Sequence, residues 1–161
     1  MKASPRARHF AILLFALAVA CCPDGLSAAW ADDIPDISGE YHFLAPEDTL
    51  GILEEEGRLK GYVDVAQGED ESDTVLSYQI TLGTRKGDHV EFKTGKIHER
   101  YYRFTGTVER GSGHGEADPD FLRLVGDLEI IKVDSATQQE QTESRRAVFK
   151  WKGKSERDNE Q

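Results

Sequence analysis

The histidines and carboxylates of this sequence are the side chains with which metal or acid–base chemistry would begin. Four of the five histidines lie at scattered positions, namely His42, His89, His98 and His114. They form no His-Glu-x-x-His or His-x-His pair of the kind that binds zinc. The last of them lies in a glycine-rich segment that also contains Glu116, Asp118 and Asp120. These groups could gather around an ion, but the composition is that of a hydrophilic loop, so we predict no metal site and no cofactor.

Two further segments resemble functional motifs but do not have the residue spacing that those motifs require. Carboxylates occur close together at Glu69, Asp70, Glu71 and Asp73. They lack the Asp-x-Asp-x-Asp-Gly order and the distal glutamate of a calcium loop, which predicts a solvated acidic loop. Ser112 is flanked by glycines, yet a nucleophile elbow needs a glycine two residues before the serine, and that residue is Arg110. No pair of carboxylates stands out for glycoside hydrolysis, and we predict that the protein is not an enzyme.

Aromatic residues on the predicted inward face of the strands are the best candidates for a binding site. Three phenols and one phenyl ring share this face, at Tyr41, Tyr78, Tyr102 and Phe104. A buried phenol either finds a hydrogen-bond partner or lines a cavity, so we predict that these four side chains bind a ligand. The alternative is ordinary core packing. An open pocket among the four rings would favour ligand binding, whereas a core filled by them would favour a protein-interaction role.

These rings must be positioned by β-strands, because the chain alternates between apolar and polar residues with a period of two. The longest such run is Glu99 to Gly111, in which Tyr102, Phe104 and Val108 share one face. Val75 to Leu82 alternates in the same way and predicts that Leu82 faces inward. In the segment from Phe121 to Val133 the apolar parity changes after Ile130. This change predicts a β-bulge near Ile130 or a strand end that is covered on both faces.

Three strands share the pattern apolar-x-Gly-x-apolar, centred on Gly61, Gly106 and Gly126. A glycine on the inward face lets a sheet bend sharply, as a small barrel requires. The count of about eight strands, with no convincing helical periodicity, predicts an all-β fold: an antiparallel up-and-down meander closed into a barrel. A two-sheet β-sandwich built from the same strands is the alternative.

The amino terminus has the pattern of an export signal. Lys2, Arg6 and Arg8 precede the apolar run from Phe10 to Ala20, and small residues follow as far as Ala31. We predict a signal peptide at 1–31, with cleavage after Ala29 as the alternative, and an exported, periplasmic or extracellular protein. A poor match to a lipoprotein box ends at Cys21 and leaves a lipid anchor there as a second route. The apolar run is too short to span a bilayer comfortably.

Removal of the leader would leave 130 residues, enough for one domain at 32–152 and a charged, disordered tail at 153–161. It would also remove both cysteines, so the mature chain would have neither a disulfide nor a thiolate metal site. The formal net charge would change from −10 to −12, because three basic residues and one acidic residue are lost. A surface of this charge repels nucleic acid, which we exclude as a partner.

The opening strand, Ile37-Ser38-Gly39-Glu40-Tyr41, resembles that of the calycins, the lipocalin and avidin-like barrels, and the segment from Gly57 to Tyr62 is similar to the second hairpin of avidin-like proteins. The resemblance implies that Tyr41 fills one end of the barrel in place of a tryptophan. It also implies that a basic residue of the last strand packs across that ring; the candidates are Arg145, Arg146, Lys150 and Lys152. The Asn and Ser positions that hold biotin in the avidin pattern have no match here, and biotin binding is not predicted.

These observations together predict an exported, non-catalytic barrel that binds a small, partly apolar ligand in its mouth. The alternative is a structural or protein-interaction module with a filled barrel.

Overall fold

The computed structural model describes residues 34–67 and 74–154, which form eight antiparallel strands. The predicted leader with Cys21, the acidic loop from Glu69 to Asp73 and residues 155–161 lie outside the described residues. The strands are β1 (Gly39–His42), β2 (Thr49–Glu55), β3 (Arg58–Gln67), β4 (Thr74–Lys86), β5 (His89–Thr94), β6 (Arg100–Arg110), β7 (Leu122–Val133) and β8 (Glu140–Gly153).

Each strand pairs with the next along the chain, and β8 returns to β1, so the sheet closes into a barrel. The predicted meander barrel is confirmed, and the sandwich alternative is wrong. One end of the barrel carries the amino-terminal segment 34–38, the β2–β3 and β4–β5 turns and the β6–β7 loop. We call it the plugged end. The other end, which we call the mouth end, carries the β1–β2 loop and the β5–β6 and β7–β8 turns.

The inward glycines lie where neighbouring strands approach each other closely. Gly106 and Gly126 are direct cross-strand partners. A Cβ atom at Gly106 would lie 2.4 Å from the Val125 carbonyl oxygen and 2.6 Å from the Phe104 ring. At Gly61 it would lie 1.9 Å from a carbonyl oxygen of β2. The close approach of the strands therefore requires glycine at these positions, since no side chain fits between the strands there.

The sequence made predictions about the alternation of side chains in β4 and in β7, and the two have different outcomes. The prediction that Leu82 faces inward is wrong: its side chain is 68% exposed, because the β4–β5 register shifts between Ile80 and Leu82 and reverses the alternation. β7, in contrast, stays in register with both neighbours past Ile130. Its parity change arises because Ile131 and Val133 are buried with Tyr101 on the outer face, so the strand end is covered on both sides and carries no bulge.

Candidate functional site

The plugged end is sealed by the segment that precedes β1. Ile34 and Ile37 are buried in the barrel core. Arg85, on β4, donates hydrogen bonds from its guanidinium to the carbonyl oxygen of Ile34 and to Glu54, the latter at 2.8 Å. Glu54 in turn accepts a hydrogen bond from the Ile37 amide at 3.2 Å. Because both charged side chains are about nine-tenths buried, at 8% and 12% exposed, they hold the segment across the end of the barrel.

Tyr41 packs at this same end against the last strand. Its hydroxyl donates to the Ile37 carbonyl at 2.8 Å, and its ring meets Trp151 edge to face at 5.4 Å. Burial raises the pKa of the Tyr41 phenol far above its ordinary value. The aromatic residue of the opening strand therefore fills the barrel end, as the resemblance implies.

The basic partner implied for Tyr41 is not on the last strand. The four candidate side chains of β8 are all exposed. Arg146, Lys150 and Lys152 have the outward parity of that strand, and Arg145, on the inward parity, lies before the buried row of Ala147, Phe149 and Trp151. The buried cation at this end is Arg85, which comes from β4 through the parity reversal after Ile80. This implication of the resemblance is therefore wrong.

The β6–β7 loop completes the seal over Trp151. The indole nitrogen of Trp151 donates to the Glu116 carbonyl at 3.0 Å, and Phe121 packs edge to face on the indole at 5.9 Å. Asp120 holds the loop together: its carboxylate accepts two hydrogen bonds from Arg123, at 2.6 and 2.7 Å, and others from Ser112. These bonds, those from Arg123 first, hold the pKa of Asp120 well below its usual range.

The carboxylates of this loop thus stabilise turns. His114 donates its amide to Asp118 at 2.9 Å. Within residues 34–67 and 74–154, no group of three or more histidine, cysteine or acidic side chains is arranged to hold a metal ion.

The mouth end contains the other two inward phenols. The rings of Tyr78 and Tyr102 meet edge to face at 5.0 Å, and Phe43 packs on Tyr102 at 5.3 Å. Burial raises the pKa of both phenols, while the Arg100 guanidinium beside them opposes the increase. Two polar-tipped rings and one cation therefore lie together beneath this end of the barrel.

Arg100 is positioned by a tight turn of uncommon sequence. Ile97 and Arg100 exchange two backbone hydrogen bonds, each 2.9 Å long. The residues between them, His98 and Glu99, have φ angles of 45° and 64°, which is the conformation of a type I′ turn. Asn-Gly is the usual sequence at these two positions, so the strain of the turn is borne here by residues with side chains.

The buried polar groups near the mouth end are used by the backbone. Asp48 accepts hydrogen bonds from the amides of Ala45 and Ala66, both at 3.0 Å, which ties the β1–β2 loop to β3. Thr94 accepts one from the Tyr102 amide at 3.0 Å. These side chains fix the strands around the two phenols.

Partly buried apolar residues surround the phenols at this end and pack on the core. This rim, as we call it, consists of Leu44, Val65, Leu76, Ile97 and Ile130. The described side chains of the rim are only partly buried, whereas Ile34 and Ile37 at the plugged end are buried. Among the described residues no carboxylate lies within ion-pair distance of Arg100.

The four predicted site residues do not converge on one point. Tyr78 and Tyr102 lie together at the mouth end, Tyr41 lies at the plugged end, and Phe104 stacks on Phe92 in the middle of the barrel. Each of the four side chains is at most 1% exposed. Sequence reasoning missed Arg100 and the rim, although the inward parity of β6 that contains Tyr102 and Phe104 also places Arg100 on that face.

Two surface clefts lie apart from the phenols of the mouth end. One, of about 360 Å³, lies on the outer face of β4 to β6 beside Leu82. Another, of about 400 Å³, lies outside the barrel between Lys93, Lys96 and the β7–β8 turn. Phe104 is among the residues that line the first cleft, but neither cleft is lined by Tyr41, Tyr78 or Tyr102.

The eight-strand meander barrel has the fold of two avidin-like proteins of known structure. The structure is similar to that of the rhizavidin–biotin complex, with a TM-score of 0.55 and 12% identity over 75% of this chain and 96% of that chain. It is also similar to intact afifavidin in its apo form, with a TM-score of 0.54 and 12% identity over 79% and 89% of the two chains. No protein-family model and no curated protein matches the sequence. The likeness shows the fold.

Proposed function

We propose that this chain is an exported, non-catalytic barrel protein that binds a small, partly apolar molecule at the mouth end. The observation that carries the proposal is the difference between the two ends: one is sealed by buried contacts, while the other presents the apolar rim above Tyr78, Tyr102 and Arg100. Apolar walls with a few convergent polar groups are typical of small-molecule sites. The similar structure of rhizavidin was solved with biotin, which supports a small molecule as the class of ligand.

The side chains of the mouth end indicate the chemistry of that molecule. Because the interior is filled by rings in mutual contact, the ligand lies on the rim above Tyr78 and Tyr102 and does not pass between these two rings. The rim covers the apolar part of the ligand. Arg100, which has no ion-pair partner within the described residues, meets a negative group on it.

A second candidate function is a structural or interaction module with a filled barrel. It is favoured by the filled core: the rings of Tyr102, Phe43, Phe149 and Phe104 pack in that order, with the centroids of successive rings 4.9–5.3 Å apart. In that case the barrel interior is a core only, and the protein acts through its surface.

The test uses 8-anilinonaphthalene-1-sulfonate, an apolar anion, as a fluorescent probe of the folded protein. We expect saturable binding that Arg100→Gln weakens about tenfold, because a charge-assisted hydrogen bond is lost. Arg58→Gln, which removes an exposed cation at the plugged end, is the matched control and leaves binding unchanged. Equal effects of the two substitutions, or no saturable binding, would favour the filled-barrel module. If Arg100→Gln alone weakens binding, a mass-spectrometric search for co-purified molecules is expected to identify the natural ligand.

A further inference from the structure

One edge of β8 is left without a strand partner. β7 pairs with β8 continuously from Glu140 to Lys150. On the opposite edge, β1 pairs only at Trp151 and Gly153. Within the described residues, the β1-facing edge of β8 from residue 140 to residue 148 therefore presents backbone amides and carbonyls to no other strand. Such an edge is a template for pairing with another chain.

The edge is open because β1 is short. β1 ends at His42, and the chain then turns back on itself, with the Phe43 amide donating to the Asp48 carbonyl at 3.2 Å. The Phe43 ring packs on Phe149 at 4.9 Å, so the cover that β1 and its loop provide reaches residue 149. A groove of about 210 Å³ lies between Leu44 and residues 145–149 of β8. From Glu140 to Arg146 every residue is exposed.

Two opposite charges flank the centre of this edge symmetrically. The nine free residues are centred on Ser144, which is preceded by Glu143 and followed by Arg145. If a second copy pairs antiparallel about a two-fold axis at Ser144, Glu143 of each copy lies directly opposite Arg145 of the other. The same register matches residue 140 to residue 148, so it uses the whole free edge. Neither Glu143 nor Arg145 has an ion-pair partner in the described part of the chain.

We propose that this protein forms a symmetric dimer through antiparallel pairing of the two β8 edges centred on Ser144. The contact is isologous, which closes the assembly at two copies. Opposite charges placed directly across antiparallel strands stabilise the pair, whereas like charges in that position oppose it. Charged residues on edge strands usually prevent association. Here the order of Glu143 and Arg145 opposes a parallel arrangement in the same register, because it would place glutamate opposite glutamate. The same order favours the antiparallel arrangement, in which glutamate lies opposite arginine. The proposal does not depend on whether a ligand occupies the mouth end.

The test is a charge-exchange series followed by sedimentation equilibrium at several protein concentrations. We expect the protein to dimerise, Glu143→Arg and Arg145→Glu each to weaken dimerisation at least about tenfold, and the double variant Glu143→Arg/Arg145→Glu to restore it. Lys86→Glu, an exposed charge reversal at the plugged end, matches Arg145→Glu in net charge and leaves the dimer intact. Circular dichroism and thermal unfolding establish that each variant is folded.

A second measurement reports the register itself. In Ser144→Cys the two introduced thiols meet at the axis and form a disulfide-linked dimer under mild oxidation. Thr105→Cys, on an exposed position of β6, does not. A monomer at all concentrations overturns the proposal. So does a dimer that neither the single charge reversals nor Ser144→Cys affects, since its interface must then lie elsewhere.

Discussion

A single guanidinium joins three parts of the chain at the plugged end. Arg85 bonds the Ile34 carbonyl, the Gly87 carbonyl and the Glu54 carboxylate, so it links the segment before β1, the β4–β5 turn and β2. Removing one partner of a buried ion pair leaves the other charge desolvated and uncompensated. The residue is therefore expected to matter far more to stability than the surface arginines.

Arg85→Met is expected to lower the free energy of unfolding by about 3 kcal/mol or more. Arg103→Met is the matched control, because its ion pair with Glu129 has the same 2.8 Å length but side chains that are 47% and 33% exposed. Such a pair contributes at most about 1 kcal/mol. Chemical denaturation measures both variants. Equal losses would show that Arg85 is hydrated and does not seal the barrel.

The inward glycines support a second prediction at the residue scale. Gly106→Ala brings a methyl group within 2.4 Å of a backbone oxygen, so a strand must shift, and we expect a loss of roughly 1–3 kcal/mol in unfolding free energy. Gly115→Ala is the control, since its added Cβ would meet no atom within 4 Å. If the denaturation midpoint of Gly106→Ala matched that of the control, the tight coiling of β6 on β7 would be refuted.

Among the elements, the β1–β8 seam is the one that converts a sheet into a barrel. Its register shifts between Glu40 and Tyr41, which pair with Gly153 and Trp151 respectively. The shift leaves Lys152 beside Glu40, with their charged atoms 4.0 Å apart, and the same lysine donates a hydrogen bond to Thr49 of β2 at 3.0 Å. Exposed contacts of this kind add little stability, but they report which strands are neighbours.

Paired cysteine substitutions test this seam. Glu40→Cys with Lys152→Cys should form an intramolecular disulfide readily under mild oxidation, because the two side chains lie together on the outer face. Glu40→Cys with Lys150→Cys serves as the control and should crosslink much more slowly, since Lys150 lies two residues before Lys152 and three before Gly153, the pair of Glu40. Rapid crosslinking of the Lys150 pair alone would move the register by two residues. Failure of both pairs would contradict closure of the barrel.

At the scale of the whole molecule, the predicted cleavage site lies close in sequence to the first buried residue of the barrel. Cleavage after Ala31 leaves only two residues before Ile34, which is buried in the core and held by Arg85. A cut two residues earlier also keeps Ile34 and Ile37 in the mature chain. A cut beyond Ile37 would remove the segment that seals the plugged end.

Intact-mass analysis of the protein exported by a bacterial host is expected to give a chain that begins at Asp32. An alternative start at Trp30 would still agree with the proposed export. A diacylated chain that begins at Cys21 would instead support the lipid-anchored form, and an uncleaved chain that stays inside the cell would contradict the export proposal.

The amino-acid sequence by itself determined the strands, most of their inward rows and the close strand approach at Gly61, Gly106 and Gly126, because alternation and the absence of a side chain are local properties that persist in the fold. Only the tertiary structure decided which inward residues meet. Tyr41 and Tyr78 have the same parity and the same chemistry, but closure of the sheet places one against Trp151 and the other against Tyr102. The register shift in β4, which no residue type announces, turned Leu82 outward and brought Arg85 to the buried end. Contacts between residues far apart in the chain follow from strand register and barrel closure, and neither is encoded within any single strand.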